Sequence, residues 1–83
     1  MSKDLETIGE YRVGVSFNPS NSHKVDVIKS MAAALIDEID SIAVNFGFAP
    51  DEVVRLKNIA MDEVESAAMW AVKAATKKDW RAP

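Results

Sequence analysis

Apolar residues recur at helical spacing over two long stretches of the chain. The first runs Val25, Ile28, Ala32, Leu35, Ile39, Ile42 and Phe46, alternating steps of three and four as a helix with one buried seam requires. Ser20, Asn21 and Ser22, just ahead of it, are N-cap residue types, and Gly47, just behind it, suits a left-handed helix exit. The pattern predicts a first long helix over 22–46. Pro50 followed by Asp51 and Glu52 marks a second start, since proline is tolerated in the first turn and carboxylates favour the positive end of the helix dipole. This second helix is expected over 50–78, after a short turn from Gly47 to Pro50.

The second helix carries two stripes, one of Leu56, Ala60, Ala67, Ala71 and Ala74, the other of Val54, Met61, Ala68, Val72 and Ala75. An apolar arc this wide must bury more than one flank. One stripe is expected to face the first helix and the other a neighbouring copy; a single wide stripe in an isolated hairpin is the simpler alternative. Glu63 falls on the alanine stripe, either as a polar layer that fixes register or as a solvated edge. Upstream, residues 1–21 read as a polar arm, whose alternating Tyr11, Val13, Val15 and Phe17 predict an extended stretch packed on another element. The expected fold is all-α: one antiparallel two-helix hairpin domain with an N-terminal arm, assembled into a helical homo-oligomer.

Size sharpens the case for assembly. With 83 residues and no cysteine, the core of one copy is marginal, and neither a disulfide framework nor a thiolate metal site can reinforce it. The N-terminal Met-Ser-Lys-Asp-Leu-Glu lacks an apolar signal region, and no apolar run approaches the roughly 20 residues that span a bilayer, so a cytosolic protein is expected. A net charge of −3 argues against a general binder of nucleic-acid polymers.

Charge is unevenly distributed. An antiparallel hairpin brings His23, Lys24 and Lys29 beside Lys73, Lys77 and Lys78, while Asp37, Glu38, Asp40, Asp51 and Glu52 occupy the other half. Lysines at the end of the second helix are what the macrodipole favours. Cations at the start of the first are opposed by it, at about 0.3–1 kcal/mol each, and need compensation. An anion would supply it, since free backbone N–H groups, the dipole and the lysines would converge on one point. Tyr11 and Arg12 add a stacking face and a planar guanidinium suited to phosphate. Stacking a base is worth about 1–3 kcal/mol and a hydrogen bond to a charged group about 1.5–3, enough together to hold a small nucleotide. A structural cap surrounded by solvated lysines is the competing account.

Catalytic signals are weak. The chain has one histidine and shows no His-Glu-x-x-His, Gly-rich phosphate loop or serine elbow. Asp62, Glu63 and Glu65 fan out around a helix and read as a solvated acidic face. His23 reads as a helix-start residue, and Met69 and Trp70 as packing residues. Trp80 either docks on a neighbouring arm or frays. No cofactor, metal or catalytic group is expected.

Phe17-Asn18-Pro19-Ser20, then Val25 to Ile28-Lys29, Ala32-Ala33 and Leu35-Ile36-Asp37, with Ala67-Ala68-Met69-Trp70-Ala71-Val72-Lys73-Ala74 near the end, together resemble the small tailed-phage proteins of the anti-CBASS sponge family. The likeness extends from about Tyr11 to Lys78. It rests on the order and spacing of several segments rather than on one motif. It implies a non-enzymatic protein that sequesters the cyclic oligonucleotides of bacterial antiphage signalling in the host cytoplasm. It implies helical hairpins assembled into homo-oligomers, typically hexamers, with cyclic dinucleotides held between protomers and, in some members, cyclic trinucleotides in separate pockets.

Carried onto this chain, the resemblance assigns base stacking to Tyr11 and phosphate contact to Lys29, with Arg12 following the tyrosine as in the family pattern. Asn18 and Ser20 are expected to hydrogen-bond at the helix start. Lys73 stands where relatives often have arginine, and with Thr76 is assigned to the second pocket. The Gly14 to Ser22 connection is longer than in the shorter relatives, which alters the reach of Tyr11 towards Lys29. Two alternatives stay open: a helical protein–protein interaction module without a small ligand, and capture of a cyclic ADP-ribose type signal.

Overall fold

A computed structural model describes residues 6–45, 47 and 49–77. Among them the chain forms three α-helices, α1 (Ile8–Val13), α2 (His23–Asp40) and α3 (Pro50–Thr76). The expected helix end at Phe46, the residue Lys78 and the docking residue Trp80 lie outside the described residues.

The region read as an extended arm contains α1 instead. Thr7 and Glu10 form a reciprocal capping box: the Thr7 hydroxyl accepts from the Glu10 amide and the Glu10 carboxylate accepts from the Thr7 amide, both at 3.0 Å. These two bonds satisfy donors that a helix start otherwise leaves open. Gly14 ends the helix in the left-handed region at φ 71°, its amide donating to the Glu10 carbonyl, a conformation that costs glycine little.

Helix α2 starts where expected, with Ser22 as N-cap and its hydroxyl accepting from the Val25 amide. It ends at Asp40, short of the predicted 46. The exit is held by Ser41, whose hydroxyl donates to the Glu38 carbonyl, and by Lys57 of α3, whose ammonium donates to the Asp40 and Ile42 carbonyls at 2.8 and 2.6 Å. A cation on the last carbonyls of a helix meets the negative end of its dipole. Pro50 opens α3 with Asp51 and Glu52 in its first turn, and the connection between the long helices runs from Ser41 to Ala49 rather than over four residues.

Lys57 at the end of α2, and Val25 beside Val72 and Thr76 at its start, make α2 and α3 antiparallel. The helix α1 crosses α2 at Gly9. A Cβ there would collide with the Ala33 carbonyl and lie 2.8 Å from Asp37 Oδ1, and the Gly9 amide donates to that same Asp37 oxygen at 2.7 Å. The crossing is backbone on backbone, open only to glycine.

The core is small: Val25, Ala33, Ile36, Met61 and Ala68. Its line along α2 differs from the predicted seam. Ile36 is fully buried whereas Leu35 is 51% exposed, because α2 is covered from two sides, by α1 and α3, and the buried line bisects those contacts. On α3 the stripe of Met61 and Ala68 faces inward, while Leu56, Ala67 and Ala74 of the other stripe are exposed and Glu63 is solvated. The principal extents are 61 × 35 × 12 Å, one helix diameter thick. A single layer leaves faces that a two-layer domain would cover.

Candidate functional site

The start of α2, the end of α3, and the loop from Gly14 to Ser22 meet at one pole. A network of short polar side chains fixes the loop. The Asn18 amide donates to the Ser22 carbonyl and to Asp26 Oδ1, both at 2.9 Å. The Ser20 hydroxyl donates to Asn18 Oδ1 at 2.6 Å and accepts from the Ser22 amide. Asn21 takes a left-handed conformation between them at φ 57°, which asparagine tolerates. Asn18 and Ser20, expected as ligand contacts, thus hold the entry to α2.

Lys29 occupies the centre. Its side chain is buried, and its ammonium donates to the Gly14 carbonyl at 3.1 Å and to the Phe17 carbonyl. The Phe17 ring lies over it, with Nζ 5.4 Å from the ring centroid. Two carbonyls and a π-face offset the desolvation of a buried ammonium. The compensation that sequence reasoning asked of an external anion is, for Lys29, supplied within the chain. His23 and Lys24 are exposed.

Two clefts flank Lys29. The first, about 240 Å³, is lined by Arg12, Lys29 and Glu65 with Val13, Ala68, Met69 and Val72. The second, about 290 Å³, is lined by Phe17, Pro19, Val25 and Val72 with Asn18, Ser20, Lys29 and Thr76. The first sets charges of both signs against apolar walls and the second a lysine, an amide and hydroxyls, yet each is below the roughly 300–1,000 Å³ that encloses a drug-sized ligand.

Arg12 reaches across to α3, where its Nη2 donates to Asp62 Oδ1 at 2.7 Å and its Nε to Glu65 Oε1 at 2.9 Å. Chiefly through the Glu65 bond, and also through that to Asp62, the pair raises the already high pKa of the guanidinium. Asp62 and Glu63 are solvent-exposed as expected and Glu65 is partly so, but Asp62 and Glu65 do not merely fan out. Three residues apart, they share one side of α3 and close on Arg12.

Helical geometry also separates Tyr11 from Arg12, since successive residues diverge by about 100° around a helix. Arg12 turns inward, and Tyr11 is 73% exposed, outside both cleft linings. Lys73 lies outside them too, its ammonium 5.5 Å from the centroid of the exposed Trp70 ring, while Thr76 donates back to the Val72 carbonyl at 2.9 Å. The structure thus joins Arg12 with Lys29 in one cleft, and Asn18, Ser20, Lys29 and Thr76 in the other. Sequence reasoning missed Gly9, Asp37 and Lys57; the Thr7 to Glu10 capping pattern was the available signal that residues 8–13 are helical.

Among the described residues no group of three potential metal ligands converges, and no helix is long and apolar enough to cross a membrane. The clefts offer apolar walls beside two cations, Arg12 and Lys29, each already partnered within the chain.

Residues 10–76, from α1 to the last residue of α3, match the family model described as Acb2/Tad1, hairpin domain. No curated protein and no solved structure matches the chain.

Proposed function

From the membership of this chain in the Acb2/Tad1 hairpin family, the anti-CBASS cyclic-oligonucleotide sponges, we propose that it captures cyclic di- or trinucleotide second messengers of antiphage signalling and holds them uncleaved. The family match over residues 10–76 carries this reading. Sequestration needs affinity and copies rather than turnover.

Copies of the chain assemble and share the ligand, with a hexamer as the expected form. Three observations support assembly. The molecule is one helix thick. Among the described residues the core of Val25, Ala33, Ile36, Met61 and Ala68 leaves Met31, Leu35, Leu56, Met69 and Trp70 exposed. Each cleft is too small to enclose a cyclic dinucleotide alone. Tyr11, projecting from α1, is then free to stack on a base at the junction between copies, while Lys29 and Arg12 neutralise phosphate and Asn18 and Ser20, whose donors are engaged within the loop, bond to the ligand only by giving up those bonds. Lys73 and Thr76 contribute to a second pocket for cyclic trinucleotides. The site of action is the cytoplasm of a phage-infected host.

The test is competition with a reporter effector. Adding the protein in excess to a fixed amount of cyclic dinucleotide or trinucleotide silences the effector, and heating the mixture restores activation by intact nucleotide. Permanent loss of the nucleotide would make the protein a hydrolase; an undiminished signal would refute capture. The exposed apolar side chains also fit a protein-binding module, for which Leu56 or Trp70 would be essential and Tyr11 dispensable; Met61, buried in the core, cannot serve as that test. A cyclic ADP-ribose type signal belongs among the ligands tried, because stacking and phosphate contacts serve it equally.

A further inference from the structure

The guanidinium of Arg12 enters the first cleft already paired. Glu65 lines the same cleft and is 37% exposed at its side chain, and Asp62, three residues earlier on α3, is 74% exposed. Two monodentate bonds use two of the five N–H donors of arginine. Both carboxylates can swing into water with little loss, because ion pairs at this level of exposure contribute little net stability. The geometry of the pair, with Nε and Nη2 presented towards two oxygens, is also the geometry with which arginine takes phosphate.

We propose that Asp62 and Glu65 are specificity-determining counter-ions that stand in for the ligand phosphate on Arg12, and that binding proceeds by exchange of these carboxylates for it. This rests on the reading of the protein as a cyclic-oligonucleotide binder. Before the ligand arrives, the carboxylates occupy the guanidinium of Arg12. They also impose a threshold. An anion must offer more to the guanidinium than a carboxylate does, and must tolerate Glu65 at the cleft wall. A phosphodiester closed into a ring, which brings further oxygens to Lys29, meets that requirement; a lone carboxylate metabolite does not. Asp62 and Glu65 thus act through Arg12, and screen the site against the acidic small molecules of the cell.

The exchange has a signature that a purely structural ion pair lacks. Neutralising Glu65→Gln, alone or with Asp62→Asn, removes the competitor, so nucleotide affinity rises by about two- to fivefold for each carboxylate, the scale of a surface ion pair. In an Arg12→Gln background the same substitutions change affinity by less than twofold, because nothing remains to be exchanged. Isothermal titration of the full chain with 3′,3′-cyclic GMP-AMP, cyclic di-AMP and cyclic tri-AMP in parallel measures the four corners of this cycle on whichever member binds tightest. If Glu65→Gln weakens binding, the pair is a staple for α1 and the proposal fails. If its gain survives Arg12→Gln, Glu65 merely repels the ligand and the exchange is likewise refuted. Both failures leave the binding function standing, whereas absence of binding by the unmodified protein to every probe overturns that function and this proposal together.

Discussion

Replacing Gly9 by alanine tests how α1 is placed, and with it Tyr11 and Arg12. The added methyl meets the Ala33 carbonyl of α2 and Asp37 Oδ1 at 2.8 Å. Backbone forms one wall of the contact, so relief must come from moving α1. Overpacking costs about 1–3 kcal/mol. Moving the helix also breaks the charge-assisted bond from the Gly9 amide to Asp37, worth about 1.5–3 kcal/mol. Alanine returns about 0.5–1 kcal/mol as the better helix former. The net cost is about 2–5 kcal/mol, a large part of the stability expected for a domain of this size. The long helices have their own contacts, so the expected result is an undocked α1 on an intact α2–α3 pair: a lower urea midpoint by circular dichroism at fixed protomer concentration, nearly unchanged helicity, and nucleotide affinity reduced at least tenfold. Gly14→Ala is the control. At φ 71°, with open space around it, it loses only the left-handed preference, about 1–2 kcal/mol, and retains the α1 crossing. A Gly9→Ala protein with the midpoint and affinity of the parent would refute the crossing geometry.

Tyr11→Ala is expected to leave the urea midpoint within about 0.5 kcal/mol, because the ring is exposed, while weakening nucleotide binding by about 1–3 kcal/mol in titration; equal affinity would remove it from the site. Lys29→Met keeps the apolar stem and deletes the ammonium, leaving the Gly14 and Phe17 carbonyls without their donor. It should cost about 1–3 kcal/mol in urea unfolding and at least about 1 kcal/mol in binding, so a change in only one of the two would separate loop latch from phosphate ligand. Lys57→Ala should accelerate amide hydrogen exchange in the last turn of α2 and cost about 0.3–1 kcal/mol, with nucleotide affinity unaffected.

Much of the architecture was readable where the determinants are local. Ser22, Pro50, Asp51 and Glu52 mark helix starts through bonds and dipole contacts within a few residues. The end of α2 is different. Apolar spacing continues to Phe46, yet the helix stops at Asp40, where Lys57 arrives from 17 positions downstream to take the terminal carbonyls. The alternation Tyr11, Val13, Val15 and Phe17 resembles a strand, but α1 has six residues, too few for a helical period to outweigh it; the Thr7 to Glu10 box and Gly14 carry the information instead. Ile36 replaces Leu35 in the core because two helices press on α2 from different sides, which periodicity along one segment cannot register.

The site was legible as a place more than as a set of contacts. Lys29 stands out in sequence because a cation near a helix start needs compensation. Its partners are backbone carbonyls, which carry no sequence signature. Arg12 stands out as a phosphate-binding type, but its pairing with Asp62 and Glu65 depends on α1 being helical and on α3 passing beneath it. The same tertiary arrangement turns Tyr11 away from the clefts.

The most direct test of the central claim is isothermal titration of the purified chain with a panel of cyclic di- and trinucleotides and a cyclic ADP-ribose type signal, followed by chromatography of the nucleotide released on heating. Tight binding, with fewer than one ligand per protomer where copies share a site and intact nucleotide recovered, is the predicted result. Absence of binding across the panel, or recovery of cleaved product, would contradict it.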